Sequence, residues 1–384
     1  MSTLLRDHAP FPPSSIARIV QCPGSWQLCK QYPPDKTSED ALEGDAAHWV
    51  VAQWVHGVYP DVGTLAPNGV MVTEEMRDGA ELWAYETGFE VGVEDHIEEA
   101  MSASELIDPD NWGTPDRWTY RPVQIPDSPF MGGVIKVSDY KFGHRIVEVV
   151  DCWQLMNYGY LILDALKMNG FQELHTKFEF CIVQPRGYHI DGPVRRWTVM
   201  AHDLRAERNN IRVAIIRAKS ENATCHVGTE CRDCSAKGHC GTLHRAALTE
   251  IDEVGRPTPM DLPPMALSNT LRMLRRSIDI LKARESGLTE VALATIKGGT
   301  NVPSFNLRTG QGREVWKISA KEVQDMGDMM GGIVLTEPKA VTPKQAIKMG
   351  LDADTVRAFT ETRNGETKLV EDDGRLARKA FGTK

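Results

Sequence analysis

The chain has no uninterrupted apolar run near the roughly 18 residues a membrane helix needs, and its opening stretch, MSTLLRDHAPFPPSS, lacks the apolar centre of a secretory leader. These absences exclude membrane insertion and export as expectations, leaving a soluble protein of the cytoplasm. Positive charge is also scarce. The formal net charge is −9, which excludes wholesale electrostatic coating of nucleic acid, because phosphate binding draws on clustered Lys and Arg. Any DNA contact must be local. Two clusters of basic residues could supply one: Arg205, Arg208, Arg212, Arg217 and Lys219 on one helical stretch, and Arg272, Arg275, Arg276, Lys282 and Arg284 on another. Taken alone, each reads as a solvated helix face. No internal repeat is present.

With 384 residues, 41% hydrophobic and 25% charged, the chain can bury a sizeable core, and ordinary domain size suggests about two domains. A short helix is expected over residues 14–21, capped by Ser14 or Ser15 and stopped at Cys22-Pro23. A second is expected over residues 39–55. Strand-like patterns occupy 112–120, 134–140 and 146–150, the last leading into a buried helix with Asp151 as N-cap and Gln154 in the capping-box position. Two more strands follow, TKFEFCIVQ and VRRWTVM, then a basic helix over 203–219. This order describes an α/β or α+β fold, a mixed central sheet flanked by helices. Residues 1–250 would form that domain, 251–265 a Pro-rich linker, and 266–384 an accessory region with a helix over 267–296, a hairpin around NVPSFNLRTGQGREVWKIS and a polar helical tail.

Within VIKVSDYKFG, Asp139 and Lys141 lie two apart on an expected strand, so they share a face and Tyr140 points away. Asp116, in WGTPD at the end of a neighbouring strand, would bring its carboxylate to that of Asp139. Two convergent carboxylates repel unless a cation stands between them, and oxygen ligands suit Mg²⁺ or Mn²⁺. Such an ion acidifies water and polarises a phosphoryl group, while Lys141 would steady the growing negative charge. Gln154 and Tyr158 share a face one helical turn apart. His48 lies on the 39–55 helix, with Gly44 and Ala52 leaving space around its ring.

Eight cysteines are present, unevenly placed. Cys225, Cys231, Cys234 and Cys240 bunch together, and bunching inside the cell points to metal rather than disulfides. Cys231, Cys234 and Cys240 form C-x2-C-x5-C, which requires a fourth ligand to complete a zinc or an iron–sulfur site. Local Cys225 and distant Cys22 both qualify. Cys29, Cys152 and Cys181 read as ordinary buried or partly buried thiols.

The ordered set EGDAAH, GTPD, SDYK and QLMNY resembles the RecB-like branch of the PD-(D/E)xK nucleases, which includes the AddB nuclease domain and the CRISPR-associated RecB-like exonucleases. It is similar above all to phage and prophage members of a domain-of-unknown-function family in that branch. The resemblance covers residues 14–240 well and reaches the C-terminal part through NVPSFNLRTGQGREVW. It implies His48, Asp116 and Asp139 as ligands of Mg²⁺ or Mn²⁺, Lys141 as the catalytic lysine, and Gln154 and Tyr158 as the pair beside substrate. It also implies a [4Fe-4S] cluster held by Cys22, Cys231, Cys234 and Cys240 as a clasp between the ends of the nuclease region, with Zn²⁺ the alternative. One departure is Ala52, where many relatives carry an acid four residues after the histidine; helical geometry puts Glu43 well round from His48. The expected function is a DNA exonuclease or end-processing nuclease acting in a phage-infected or lysogenic cell. A phage recombination or single-strand-binding protein is its expected partner. The rival reading is a non-catalytic DNA-binding scaffold.

Overall fold

The computed structural model describes residues 9–33, 39–88, 93–102, 104–255, 261–305 and 307. The chain divides into two compact units, residues 1–311 with 377–384 and residues 312–376, and every described residue belongs to the first. The expected hairpin beyond residue 307 and the helical tail lie outside the described residues, as do residues 256–260 of the Pro-rich linker, whose two ends are helical.

Five strands form one mixed sheet in the order β1 (Glu94–Ile97), β2 (Arg117–Gln124), β3 (Met131–Tyr140), β4 (Thr176–Val183) and β5 (Val194–Met200). All neighbours run antiparallel except β3 and β4. That parallel pair needs a crossover, supplied by α5 (Trp153–Ala165) and the short α6 (Gly170–Glu173). Asn169 caps α6 with a reciprocal capping box to Gln172. Where β3 enters the sheet its neighbours crowd the backbone: a Cβ on Gly132 would come within 2.3 Å of the His175 carbonyl oxygen, and Gly133, at φ 152°, would meet that of Arg121 at 2.2 Å. Only glycine fits both positions.

The period-two pattern of the strands sorts the core onto two faces. Ile135, Val137, Phe178, Phe180 and Ile182 face one way, packed with α5, α1 (Ile16–Gln21) and α7 (Arg205–Lys219). Tyr140, Cys181 and Val183 face the other, against α3 (Glu39–Val55) and α4 (Glu74–Thr87). Thr73 caps α4 by accepting from Met76 N–H at 3.3 Å. The result is a mixed sheet flanked by helices on both sides. A short α2 (Ser25–Gln31) follows α1. Later, α8 (Gly241–Val254) packs along α9 (Pro264–Lys297) through Leu243, Ala247, Ile280 and Ala283. Among the described residues no helix is long and apolar enough to cross a membrane.

Two local expectations are corrected. Residues 146–150 form no strand. Their polar backbone is met by side chains instead: Val147 N–H donates to Gln184 Oε1 at 3.2 Å and its carbonyl accepts from Arg195 at 3.0 Å. Asp151 adopts a left-handed φ of 57°, and the residue at the N-cap of α5 is Cys152, which makes no side-chain cap. The basic residues of α7 largely serve the fold. Arg205 and Arg208 both bind Glu173, at 2.7 and 2.9 Å, and Lys219 bridges Asp108 and Asp110 at 2.6 and 2.7 Å.

Candidate functional site

The C-terminal end of β3 carries Asp139 inward towards α5, on the face of Ile135 and Val137, and leaves Tyr140 on the opposite face between Trp83 and Phe142. Lys141 follows Asp139 onto the same side. Its ammonium lies 2.8 Å from Asp139 Oδ2 and donates to Gln154 Oε1 at 3.1 Å, while Gln154 Nε2 donates to Asp139 Oδ1 at 3.0 Å. The three side chains form a closed ring. Gln154 reaches it because α5 begins immediately beyond the loop that leaves β3, with Tyr158 one turn further along the same face. Tyr158 donates to the Thr114 carbonyl at 3.0 Å.

Asp116 closes the arrangement from the segment before β2. One carboxylate oxygen accepts from Tyr140 N–H at 2.6 Å, and the other lies 3.6 Å from His48 Nδ1 on α3. The His48 ring meets Tyr140 edge-on, with centroids 5.4 Å apart. All six expected site residues, His48, Asp116, Asp139, Lys141, Gln154 and Tyr158, therefore collect at one end of the parallel strand pair. Glu43 does not join them: it pairs with Arg186 at 2.7 Å.

Electrostatics follow from this crowding. Asp139 is only 3% exposed, and burial, with repulsion from Asp116, holds its carboxyl above the usual range against the pull of Lys141. For Lys141, burial works to lower the pKa, but Asp139 and Asp116 outweigh it and leave the ammonium more firmly protonated than usual. Burial likewise pushes the Tyr158 phenol well up, so it donates hydrogen bonds rather than ionising.

Three further residues contribute that were not expected at the site. Glu98 sits next to Asp116 in space, its N–H donating to the Asp116 carbonyl at 3.1 Å. Although the residue as a whole is exposed, desolvation of its carboxyl, then Asp116, raises its pKa against attraction to His48. It follows β1, a strand whose short sequence gave no clear pattern. Asn111 and Asn157, both fully buried, exchange hydrogen bonds at 3.0 and 2.9 Å and tie the loop before Asp116 to α5. Asn157 stands inside QLMNY, so its place in that motif was a usable signal.

The metal expectations are corrected. Among the described residues no group of three or more His, Cys, Asp and Glu side chains is arranged to hold a metal ion. At the carboxylates the donors are committed elsewhere: both Asp139 oxygens engage Lys141 and Gln154, and one Asp116 oxygen is held by the backbone. Repulsion between the acids is offset by the Lys141 ammonium, which pairs with Asp139 and is attracted by Asp116.

The cysteines do not make a [4Fe-4S] or Zn²⁺ site either. Cys22, Cys231, Cys234 and Cys240 line one small cavity with Cys225 and Arg18, but their thiols turn to different partners. Cys22 accepts from His226 N–H at 3.2 Å, and Cys240 from Leu243 N–H at 3.5 Å as the N-cap of α8. Burial and the neighbouring Cys22 and Cys240 push the Cys225 thiol up to about 12. Cys29 is partly buried, within the buried or partly buried placing expected of it, but it has a second thiol beside it: Cys234 lies 3.5 Å away, sulfur to sulfur. Hydrogen bonds and a ring stack join the N-terminal helices to the cysteine loop. Gly24 N–H donates to the Thr224 carbonyl at 2.9 Å, Ser235 to the Tyr32 carbonyl at 2.8 Å, and Tyr32 stacks on His239 at 3.9 Å.

The model of a family described as "Protein of unknown function (DUF2800)" matches residues 8–373. The chain belongs to that family.

Proposed function

We propose that this member of the DUF2800 family is a DNA phosphodiesterase of the PD-(D/E)xK type, acting as an exonuclease or end-processing nuclease in phage DNA recombination or processing. One observation carries the reading: residues from three separated motifs, Asp116, Asp139 with Lys141, and the Gln154–Tyr158 pair, are brought together by hydrogen bonds at one end of β3. Such a set serves hydrolysis of an anionic ester. The Lys141 ammonium, kept protonated by its carboxylate neighbours, offers fixed positive charge to a phosphoryl oxygen as negative charge builds in the transition state. Asp139, the more deeply buried acid, holds that ammonium in place. Asp116, with its side chain more exposed than that of Asp139, is the acid that substrate can reach, and it accepts the proton from an attacking water. Water oxygen then bonds to phosphorus as the ester bond breaks, and the leaving oxygen takes a proton from solvent.

The surface also fits a substrate bound locally. The chain is acidic overall, and Arg205, Arg208 and Lys219 of α7 are tied up in ion pairs, so affinity rests on the site rather than on a broad basic face. The test is incubation of purified protein with end-labelled linear DNA and with covalently closed circular DNA, in buffers with and without added divalent cations. Shortening of the linear substrate with the circle spared supports an exonuclease. Tight binding with neither substrate cut under any condition refutes the proposal and leaves a scaffold.

A further inference from the structure

Outside the carboxylate site, chemistry-bearing side chains are densest where α2 meets residues 223–240. Five cysteines line one cavity there, and Cys29 approaches from α2. Within this group one pair is singled out by geometry. Cys29 Sγ and Cys234 Sγ stand 3.5 Å apart although 205 residues separate them in sequence. A bonded pair of sulfurs needs about 2.05 Å, so the two atoms have about 1.5 Å to close. The Arg18 guanidinium donates to Cys29 Sγ at 3.4 Å.

The surroundings distinguish the two thiols. Cys29 is partly exposed and Cys234 is buried, while an open cavity lined by Tyr32, Asp233, Ser235, His239 and Glu290 reaches Cys234. The Cys234 contact pulls the Cys29 thiol down and pushes the Cys234 thiol up, and the Arg18 guanidinium at the Cys29 sulfur favours its thiolate. Cys152 and Cys181 go the opposite way: burial pushes Cys152 up to about 11 and raises Cys181. A thiolate with an adjacent thiol is the arrangement in which an incoming disulfide is captured and then resolved.

We propose that Cys29 and Cys234 form a reversible thiol–disulfide site, oxidised by low-molecular-weight disulfides of the glutathione class. The Cys29 thiolate attacks one sulfur of the small disulfide, forming a mixed disulfide and releasing one small thiolate. Cys234 then gives up its proton, attacks Cys29 Sγ and expels the second small thiolate. The two protein thiols are oxidised to one disulfide, and one small disulfide is reduced to two thiols. Closure fixes α2 covalently to the loop ahead of α8, so the oxidised chain is more resistant to thermal unfolding.

The experiment uses the full chain, reduced, desalted and exposed to glutathione disulfide at neutral pH, then quenched by alkylation and digested without reductant. The expected result is loss of two of the eight titratable thiols, a peptide pair linked through Cys29 and Cys234, and a higher Tm that dithiothreitol reverses. In Cys234→Ser, glutathione should remain on Cys29 as a stable adduct, and in Cys29→Ser neither residue should react. Absence of the linked peptides in the wild-type chain overturns the proposal. So does linkage of Cys225 to Cys22 or Cys240 in their place, or a wild-type chain that retains glutathione on Cys29. Because the linkage is read in the wild-type protein, the result does not depend on how well either variant folds.

Discussion

Gln154 stands between Lys141 and Asp139, accepting from the ammonium at 3.1 Å and donating to the carboxylate at 3.0 Å. The amide thereby fixes both partners of a buried ion pair in one geometry. An ion pair held only by its own two members could swing; a three-membered ring has one arrangement in which every polar group is satisfied.

Lys141→Met and Asp139→Asn are expected to reduce DNA hydrolysis by at least about 10²-fold to 10³-fold, the usual effect of losing one group that stabilises transition-state charge. Both substitutions nearly preserve volume, so circular dichroism spectra should match the wild type. Initial rates on end-labelled DNA decide the matter, and a fully active Lys141→Met protein would end the assignment.

Gln154→Ala is expected to act through position alone. It leaves the charges in place but frees Lys141 to wander, and small displacements of a catalytic group can cost on the order of 10²-fold. The fall should appear in kcat with KM nearly unchanged. Gln154→Glu adds a third carboxylate and should be worse than alanine; equal activity of all three proteins would show that the ring is idle.

The pH dependence of stability follows from the two raised values. A group whose folded pKa exceeds its unfolded one contributes stability that is complete below the unfolded value and is lost as pH rises through the folded one. For Lys141, whose ordinary value is 10.5, that loss belongs to strongly alkaline solution, so Tm should fall there and Lys141→Met should flatten the fall. For Asp139, whose ordinary value is 3.8, the loss begins in mildly acidic solution as pH rises, and Asp139→Asn should remove that part of the slope. Thermal melts of the three proteins from acid to alkali test both signs, and identical profiles would contradict them.

Gly24→Ala tests the seam between the N-terminal helices and the cysteine loop. A Cβ there would stand 2.7 Å from the Thr224 carbonyl carbon and 2.8 Å from both the Ala223 oxygen and the Cys225 nitrogen. Backbone cannot rotate aside as a side chain can, so overpacking should destabilise the protein by about 1–3 kcal/mol. Urea titration followed by tryptophan fluorescence measures this, and an unchanged midpoint would mean the seam is loose.

Much of the site was legible because strand geometry is rigid. Once VIKVSDYKFG is read as a strand, Asp139 and Lys141 must share a side and Tyr140 must oppose them, as they do. The helix over 39–55 and the strands at 176–183 and 194–200 were equally plain in their patterns. Residues 146–150 misled because apolar spacing is all that sequence displays, whereas the hydrogen-bond partners that would make a strand were replaced by Gln184 and Arg195 from elsewhere in the chain. Spacing also could not show how the two acids relieve their repulsion. A divalent ion and a lysine with an amide both answer that need, and the choice depends on where the Lys141 and Gln154 side chains come to rest. The Cys29–Cys234 approach was invisible for a simpler reason. Nothing local links a lone cysteine on α2 to one 205 positions later.

The seam joining α1 and α2 to residues 223–240 has a consequence for how the protein is made. A ribosome adds about 5–20 residues per second, so the helices that emerge first wait on the order of 10–40 s for the segment that secures them. Through that interval Ile16 and Ile19, both fully buried in the finished fold, have no α7 to pack against, and Cys22 and Cys29 are open to solvent. The helices α1 and α2 are synthesised well before the segment that secures them, and a nascent chain caught in between presents an apolar helix that chaperones are suited to hold.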